Sequence, residues 1–215
     1  PQEPKNLTEA IGSFELTYVV VTSVDRDDLP DQGAGHFKEC IEAVKQDHPH
    51  LIVELLIPDF RGNESCLDTI IESGAEVIGQ NLETVRRLTH EVRDRRAGYD
   101  QSLKVLEYLK HKKKSIYTKS ALMLGLGEKD EEVLQAMDDL RKVGVSFLTL
   151  GQYLQPTPKH LNVYEYVTPE KFKWFEGKAL EKGFLYCASG PFVRSSYKAG
   201  EFYIKNVIEK ESSHA

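Results

Sequence analysis

The sequence predicts an α/β fold in which successive βα units curl into a partial (β/α) barrel. Three observations carry that expectation. Short β-branched runs alternate with segments whose apolar residues recur at helical spacing, from the N-terminal region to beyond residue 150. Polar clusters follow almost every predicted strand, at residues 22–28, 59–61, 80–83, 125–128 and 152–155. No repeat, low-complexity tract or long linker interrupts the chain. Strands joined through helices run parallel with right-handed crossovers, so the sheet is doubly wound or closes toward a barrel. Polar groups at the end of nearly every strand favour the barrel, whose chemistry sits on its C-terminal loops. A doubly wound sheet would gather its chemistry at one crevice.

The elements follow in order. Residues 7–16 read as a helix. Tyr18-Val19-Val20-Val21-Thr22 is a β-branched run, continuous enough for a strand buried on both faces. Phe37, Cys40, Ile41 and Val44 then mark a helix. Leu51-Ile52-Val53-Glu54-Leu55-Leu56-Ile57 is the second strand, stopped by Pro58, and Leu67, Ile70 and Ile71 stripe the next helix. Glu76-Val77-Ile78-Gly79-Gln80-Asn81 is the third strand, followed by helical segments over 85–92 and 103–109. Ser120-Ala121-Leu122-Met123-Leu124-Gly125 is the fourth, with Val133, Met137 and Leu140 on its helix, and Phe147-Leu148-Thr149-Leu150-Gly151 is the fifth.

After Pro156 the character changes. Residues 157–167 form a loop rich in His and Tyr. Thr168-Pro169-Glu170 is a helix start with proline at the first helical position. That helix runs to Lys182, a short strand covers Phe184-Leu185-Tyr186-Cys187-Ala188, and an amphipathic helix covers 202–208. Residues 1–156 are thus expected to form the partial barrel. Residues 157–215 are expected to form a C-terminal extension within the same globular unit.

Composition narrows the function classes. Twenty-eight basic and 34 acidic residues give a formal charge of −6, so no global basic field recruits nucleic acid. The one dense basic run, Lys110-His111-Lys112-Lys113-Lys114, falls where a helix should end and complements its dipole. No apolar stretch approaches the roughly 20 residues of a membrane span, so no membrane partner is expected. Cys40, Cys66 and Cys187 are widely spaced, with no CxxC or Cys/His cluster, so neither a disulfide framework nor a zinc site is indicated. The chain therefore reads as intracellular and reduced. Pro1 is not an initiator methionine, and the expectation is that the chain begins inside a longer protein.

Several residues carry candidate chemistry. Asp25, Asp27 and Asp28, with Arg26 among them, crowd three carboxylates at the end of the first strand. Like charges so close raise one another's pKa unless a cation, a metal or an arginine sits among them. Capping of the next helix by Asp27 or Asp28 is the structural alternative. Asn81 and Glu83 follow the third strand, where they suit either a ribose or amide ligand or an N-cap with a first-turn glutamate. Gly125-Leu126-Gly127-Glu128 lets the backbone approach a ligand, but is too short for a dinucleotide fingerprint and lacks a P-loop lysine; helix-start turn chemistry also explains it. Glu54 is a charge inside an apolar strand run, costly unless it faces a polar lumen with a partner. Lys119 could form a Schiff base if desolvated, although its place at the start of the fourth strand, away from the mouth, counts against this. The seven histidines share no ligand spacing; His160 alone sits in a polar loop beyond a strand end.

Gly190-Pro191-Phe192-Val193-Arg194-Ser195-Ser196-Tyr197 adds a turn leading into an arginine and two hydroxyls. Matching segments occur in order along the chain. They include 19–29 (VVVTSVDRDDL), 58–62 (PDFRG), 81–85 (NLETV), 124–128 (LGLGE), 149–156 (TLGQYLQP) and 194–197 (RSSY). With these the chain resembles the lipoyl synthase family from residue 18 to residue 208, and 92–94 and 197–202 look like the organellar forms. The resemblance implies a TIM-like partial barrel of the radical S-adenosylmethionine type. It would bind two 4Fe–4S clusters and S-adenosylmethionine, and insert two sulfur atoms at carbons 6 and 8 of a protein-bound octanoyl chain. Reductive cleavage of S-adenosylmethionine would supply the radical that abstracts those hydrogens.

Carried over residue by residue, the resemblance places Asp25 and Asp27 at the methionine part of S-adenosylmethionine. Asn81 falls at the ribose, and Gly125, Glu128 and Tyr153 on the adenine side. It makes Ser196, ahead of Ser195, the serine ligand of an auxiliary cluster, where the structural alternative is turn hydrogen bonding. Implied partners are octanoylated lipoyl domains of 2-oxo acid dehydrogenase E2 subunits, the glycine-cleavage H protein and an electron donor such as ferredoxin. The implied location is the mitochondrial matrix or a plastid. The family's two three-cysteine motifs and first barrel strand find no counterpart in these residues; Cys40, Cys66 and Cys187 match neither motif. Two further readings follow: a non-catalytic fragment that binds only the carrier domain or S-adenosylmethionine, and a Schiff-base lyase using Lys119.

Overall fold

The computed structural model describes residues 2–14, 16–194, 204 and 207. Six strands form one wholly parallel sheet whose spatial order is the chain order: β1 (Tyr18–Thr22), β2 (Ile52–Leu56), β3 (Val77–Gly79), β4 (Tyr117–Leu124), β5 (Phe147–Gln152) and β6 (Tyr186–Gly190). Helices α1 (Glu3–Gly12), α2 (Ala34–Asp47), α3 (Glu64–Glu72), α4 (Thr89–Val92), α5 (Tyr99–Lys112), α6 (Asp130–Lys142) and α7 (Pro169–Glu181) complete the units.

The sheet is curled. Tyr18 on β1 and Tyr186 on β6 line the same small lumenal cavity, although five strand spacings in a flat sheet would separate them by about 24 Å. Side chains alternate accordingly. Val53, Leu55 and Ile78 point outward into a core shared with α2, α3 and α5, and Leu122, Leu148 and Leu150 into one shared with α6 and α7. Tyr18, Ile52, Val77, Tyr117 and Phe147 point inward with Ile204, and the Tyr117 and Phe147 rings stack with centroids 5.3 Å apart. Above that floor lie Glu54 and Lys119, buried polar side chains within the lumen. Among the described residues β1 and β6 each pair on one side only, which makes the barrel partial.

The helix ends follow their sequence signals. Asn63 accepts from Ser65 N at 3.0 Å to start α3, and Thr168 accepts from Lys171 N at 3.3 Å to start α7 with Pro169 in its first turn. Asp130, Glu131 and Glu132 open α6, and Arg141 and Lys142 close it, in accord with its dipole.

Several boundaries differ from the sequence expectation. The first helix is Glu3–Gly12 rather than 7–16, and the last strand is Tyr186–Gly190 rather than Phe184–Ala188. The third strand is only Val77–Gly79, because Gln80 and Asn81 already turn into the loop. The fourth is longer, starting at Tyr117, so Lys119 lies inside it, paired in register with Gly79. Residues 85–92 are not one helix but a 3₁₀ turn, Arg86–Leu88, and a single α-turn, after which α5 begins at Tyr99 rather than Leu103. Residues beyond 156 share the same sheet and core: β6 pairs with β5, and Phe172 and Phe175 of α7 are fully buried. Ser195, Ser196, Tyr197 and all of the expected last helix except Ile204 and Val207 lie outside the described residues.

Candidate functional site

A cleft of about 440 Å³ opens at the C-terminal ends of β1 to β4, the end at which a (β/α) barrel carries its chemistry. The loop after β1 contributes Asp25 and Asp27, the loop after β2 Asp59 and Arg61, and the loop after β3 Asn81, Glu83, Arg93 and Arg96. Met123, near the end of β4, forms part of its apolar wall.

The carboxylate cluster after β1 is resolved by arginines from other loops. Asp27 is held between Arg61 Nη2 at 3.0 Å and Arg96 Nη1 at 2.5 Å. Arg26 makes a two-pronged contact with Asp28, at 2.8 and 2.7 Å, and lowers the pKa of that carboxyl. Arg96 also grips Asp94, whose carboxyl its hydrogen bonds bring down to about 2. Neither Asp27 nor Asp28 caps the next helix, whose N-cap is Gly33; Asp31, two residues before it, accepts from Gly33 N and Gly35 N at 3.1 and 3.0 Å. Asp25, exposed at the cleft, has no hydrogen-bond or ion-pair partner among the described residues.

Beyond β3 the chain is tightly held. Glu83 adopts a left-handed φ of 66°, fixed because its N–H donates to Ala121 O at 3.0 Å and its carbonyl accepts from Met123 N at 2.8 Å. Its carboxyl accepts from Asn81 Nδ2 at 3.1 Å, and burial raises its pKa against that bond and the nearby Arg93. Arg93 donates to Ser102 Oγ at 2.8 Å, and desolvation lowers its pKa. Gln80, 3% exposed, also lines the cleft, and its Oε1 has no hydrogen-bond partner among the described residues.

The sequence-derived candidates therefore separate. Asp25, Asp27 and Asn81 share the cleft; Gly125, Glu128 and Tyr153 do not line it. Glu128 turns back on its own loop, accepting from Gly125 N at 2.6 Å and Leu126 N at 2.9 Å. Gly125 has a φ of 96°, and a Cβ there would strike Gln152 Nε2 and the Glu165 carbonyl. Tyr153 donates its hydroxyl to Leu161 O at 2.9 Å. His160 is exposed and bonds Thr157 Oγ1 at 2.9 Å. Ser196 lies outside the described residues. Glu54 does face the lumen with partners, Lys119 Nζ at 2.6 Å and the Tyr18 hydroxyl, and Lys119 is thereby committed to a buried ion pair. The sequence pattern does not single out Arg93, Arg96 or Asp31; the run Arg93-Asp94-Arg95-Arg96 is the one local signal for the two arginines.

The exposed Asp25 carboxylate leaves this cleft with an acceptor to spare, which fits a polar ligand bearing donors. The thiols fit no iron–sulfur cluster. Cys40 sits on α2, 3.8 Å from His36 Nε2, and Cys66 on α3 donates to Asp31 O. Cys187 on β6 lies in the helix-side core. Burial raises the pKa of all three, and among the described residues no three His, Cys, Asp or Glu side chains gather to hold a metal.

Residues 1–140 match the Radical SAM superfamily model. The FeFe-hydrogenase maturase HydG of Carboxydothermus hydrogenoformans shares the fold with a TM-score of 0.64 at 16% identity, over 82% of this chain and 42% of that one. All 215 residues are 54% identical to the chloroplastic lipoyl synthase of Ricinus communis and 55% identical to the mitochondrial lipoyl synthase of Branchiostoma floridae. The chain spans 59% and 57% of the length of those two proteins. The lipoyl synthase of Halobacterium salinarum is 55% identical over 99% of this chain and 68% of its own length. A half-barrel of this build, matched almost end to end at such identity, belongs to the lipoyl synthase family of the radical S-adenosylmethionine superfamily.

Proposed function

We propose that the protein containing this chain inserts two sulfur atoms, at carbons 6 and 8, into an octanoyl group carried on a lysine of a lipoyl domain. The observation that carries the reading is the mouth cleft of a barrel more than half identical to lipoyl synthases throughout its length. In this reading S-adenosylmethionine, when bound, supplies the oxidising power that activates the two C–H positions. Asp25 and Asn81 are the groups of this chain that hold it, since Asp25 is unpartnered and Asn81 lines the same wall. Asp27 acts through Arg61 and Arg96, keeping three mouth loops in register. Gly125, Glu128 and Tyr153 contribute by shaping the adjoining turn and loop rather than from the cleft itself. Ser196 is proposed as a metal ligand on the family resemblance alone.

The partners in this reading are octanoylated domains of 2-oxo acid dehydrogenases and the glycine-cleavage H protein, with ferredoxin or a similar donor supplying electrons. An organellar setting is supported by the mitochondrial and chloroplastic relatives. The test is anaerobic incubation of the reconstituted full-length protein with S-adenosylmethionine, a reductant and an octanoylated lipoyl domain, followed by mass spectrometry. A lipoyl product is expected; an unchanged octanoyl domain beside full cluster content would overturn the reading.

A second reading rests on the dispersed thiols: the 215 residues taken alone bind the carrier domain or S-adenosylmethionine without catalysis. It predicts saturable carrier binding by the isolated chain in the absence of any product.

A further inference from the structure

Gln101 and Ser102, consecutive residues in the first turn of α5, each hold a side chain from a different wall of the cleft. Gln101 Nε2 donates to Asp59 Oδ2 at 2.6 Å. Asp59 Oδ1 accepts from Arg61 N at 2.9 Å, so both oxygens of that carboxylate are engaged. Ser102 Oγ accepts from Arg93 Nη1 at 2.8 Å. Asp59 follows β2 and Arg93 follows β3, and both line the cleft.

The helix behind them is a firm base. Val105, Leu106 and Leu109 are buried in the core, and Ser102, 0% exposed, continues the same face at helical spacing. Packing alone calls for an apolar residue there. A buried hydroxyl is costly without a polar partner, and here the partner is Arg93.

Arg93 itself has donors to spare. Beyond the Ser102 bond its guanidinium makes no hydrogen bond and no salt bridge among the described residues, although Glu83 and Asp59 stand near enough to act on its charge. Neither carboxyl closes on it. Asp59 is taken by Gln101 and Arg61 N, and Glu83 accepts from Asn81 while burial disfavours its ionised form. A partly buried guanidinium on a cleft wall, with most of its N–H groups unspent, matches an anion with two acceptor oxygens.

We infer that Ser102 and Gln101 are positioning residues: Ser102 fixes the Arg93 guanidinium toward a carboxylate of the bound ligand, and Gln101 holds Asp59 away from that guanidinium. The inference rests on the function proposed above, whose S-adenosylmethionine carries a carboxylate beside an ammonium group suited to Asp25. Neither α5 side chain touches the ligand; each acts through the cleft residue it holds. Without the Ser102 hydroxyl, Arg93 turns to Glu83 or Asp59. Without the Gln101 amide, Asp59 is free to pair with Arg93. In both cases the ligand loses its carboxylate contact and keeps the others.

The test uses the protein that contains this chain, reconstituted anaerobically. Equilibrium dialysis measures its affinity for S-adenosylmethionine and for decarboxylated S-adenosylmethionine, which keeps the sulfonium, ribose and adenine but lacks the carboxylate. Ser102→Ala and Gln101→Leu should each bind S-adenosylmethionine about tenfold more weakly than the parent. Both should bind the decarboxylated compound as the parent does. Ser102→Cys, which keeps the size but weakens the acceptor, should behave like Ser102→Ala. A merely structural role would lower both affinities alike, so equal losses for the two compounds overturn the inference. Undiminished affinity for S-adenosylmethionine in the variants, with lipoyl product still formed, also overturns it and leaves the proposed function standing. A parent that binds neither compound overturns the proposed function and the positioning role together.

Discussion

Glu54 and Lys119 meet in the lumen across an intervening strand, Oε1 to Nζ at 2.6 Å, with Glu54 1% and Lys119 8% exposed. The pair exists because the sheet curls, bringing inward side chains of β2 and β4 together across β3, on which Glu54 is in register with Val77 and Lys119 with Gly79. The other carboxylate oxygen accepts from the Tyr18 hydroxyl, so strands β1, β2 and β4 are tied at one level beneath the cleft.

Breaking this pair from one side should be severe. Glu54→Leu or Lys119→Met alone leaves a buried charge, at a cost of about 3–5 kcal/mol. The double variant Glu54→Leu with Lys119→Met should cost less than the two singles combined, because no stranded charge remains. Urea unfolding of all four proteins checks this. Additive losses in the cycle would show that the two residues do not act as a pair. The same burial predicts no borohydride-trapped adduct at Lys119, since its amine is engaged with Glu54.

Much of this framework was legible in the sequence because strands of a parallel sheet are apolar and often β-branched, as Val19 to Val21 and Ile52-Val53 are. β2 is buried almost throughout, whereas Val19 to Val21, expected to be buried on both faces, are only partly buried because β1 is an edge strand. Lys119 shows where legibility ended. Tyr117 and Thr118 follow a basic run and precede the apolar pattern that marks the strand, yet their register with Val77 and Ile78 places them inside it. The cleft was half legible. Strand-end position exposed Asp25, Asp27 and Asn81, whereas the Asp27 partners come from loops that only the barrel brings together, Arg96 lying 69 residues away. Nothing in the local pattern says that Glu128 bonds its own turn instead of a ligand; the positive φ of Gly125 and Gly127 decides that.

The Asp27 clamp is exposed, with Arg61 and Arg96 more than half exposed, so its contribution to global stability is small, about 0–1 kcal/mol per contact. Asp27→Asn should therefore leave the unfolding midpoint nearly unchanged while raising amide exchange in residues 59–62 and 93–97. The effect should resemble that of high salt on the parent. Equal exchange in parent and variant would sink the proposed positioning role.

Gly125→Ala should be costly for two reasons that share a cause: its φ of 96° disfavours a Cβ, and that Cβ would collide with Gln152 and Glu165. A loss of about 1–3 kcal/mol is expected, with the loop at 157–167 becoming the first site of proteolytic cleavage. Gly177, helical and with open space around it, is the control, where alanine should be neutral or stabilising.

Glu83 makes stability depend on pH in a defined direction. Burial raises its folded pKa, so its contribution is fully present below the unfolded carboxylate value, about 4.3, and is lost as pH rises through the folded value. Glu83→Gln keeps an acceptor for Asn81 and never ionises. The variant should therefore gain on the parent as pH rises above about 4.3. Unfolding titrations from about pH 4 to about pH 8 would show the gap opening; a constant gap would mean that Glu83 ionises in the folded protein as readily as in the unfolded chain.

Iron content tests the dispersal of the thiols most sharply. A 4Fe–4S cluster needs thiolates within bonding reach of one another, whereas Cys40 and Cys66 are fixed on α2 and α3 and Cys187 faces the opposite core from β6. Each thiol is also held protonated by burial, most strongly Cys187, so each should react slowly with thiol reagents until denaturant is added. Anaerobic reconstitution of the 215 residues alone should leave little or no bound iron and sulfide. On the function proposed above, a longer protein that contains these residues should take up iron and sulfide under the same conditions. About four irons on the isolated chain, with thiolate-to-iron charge-transfer bands, would require these helices to rearrange and would make the three cysteines site residues after all.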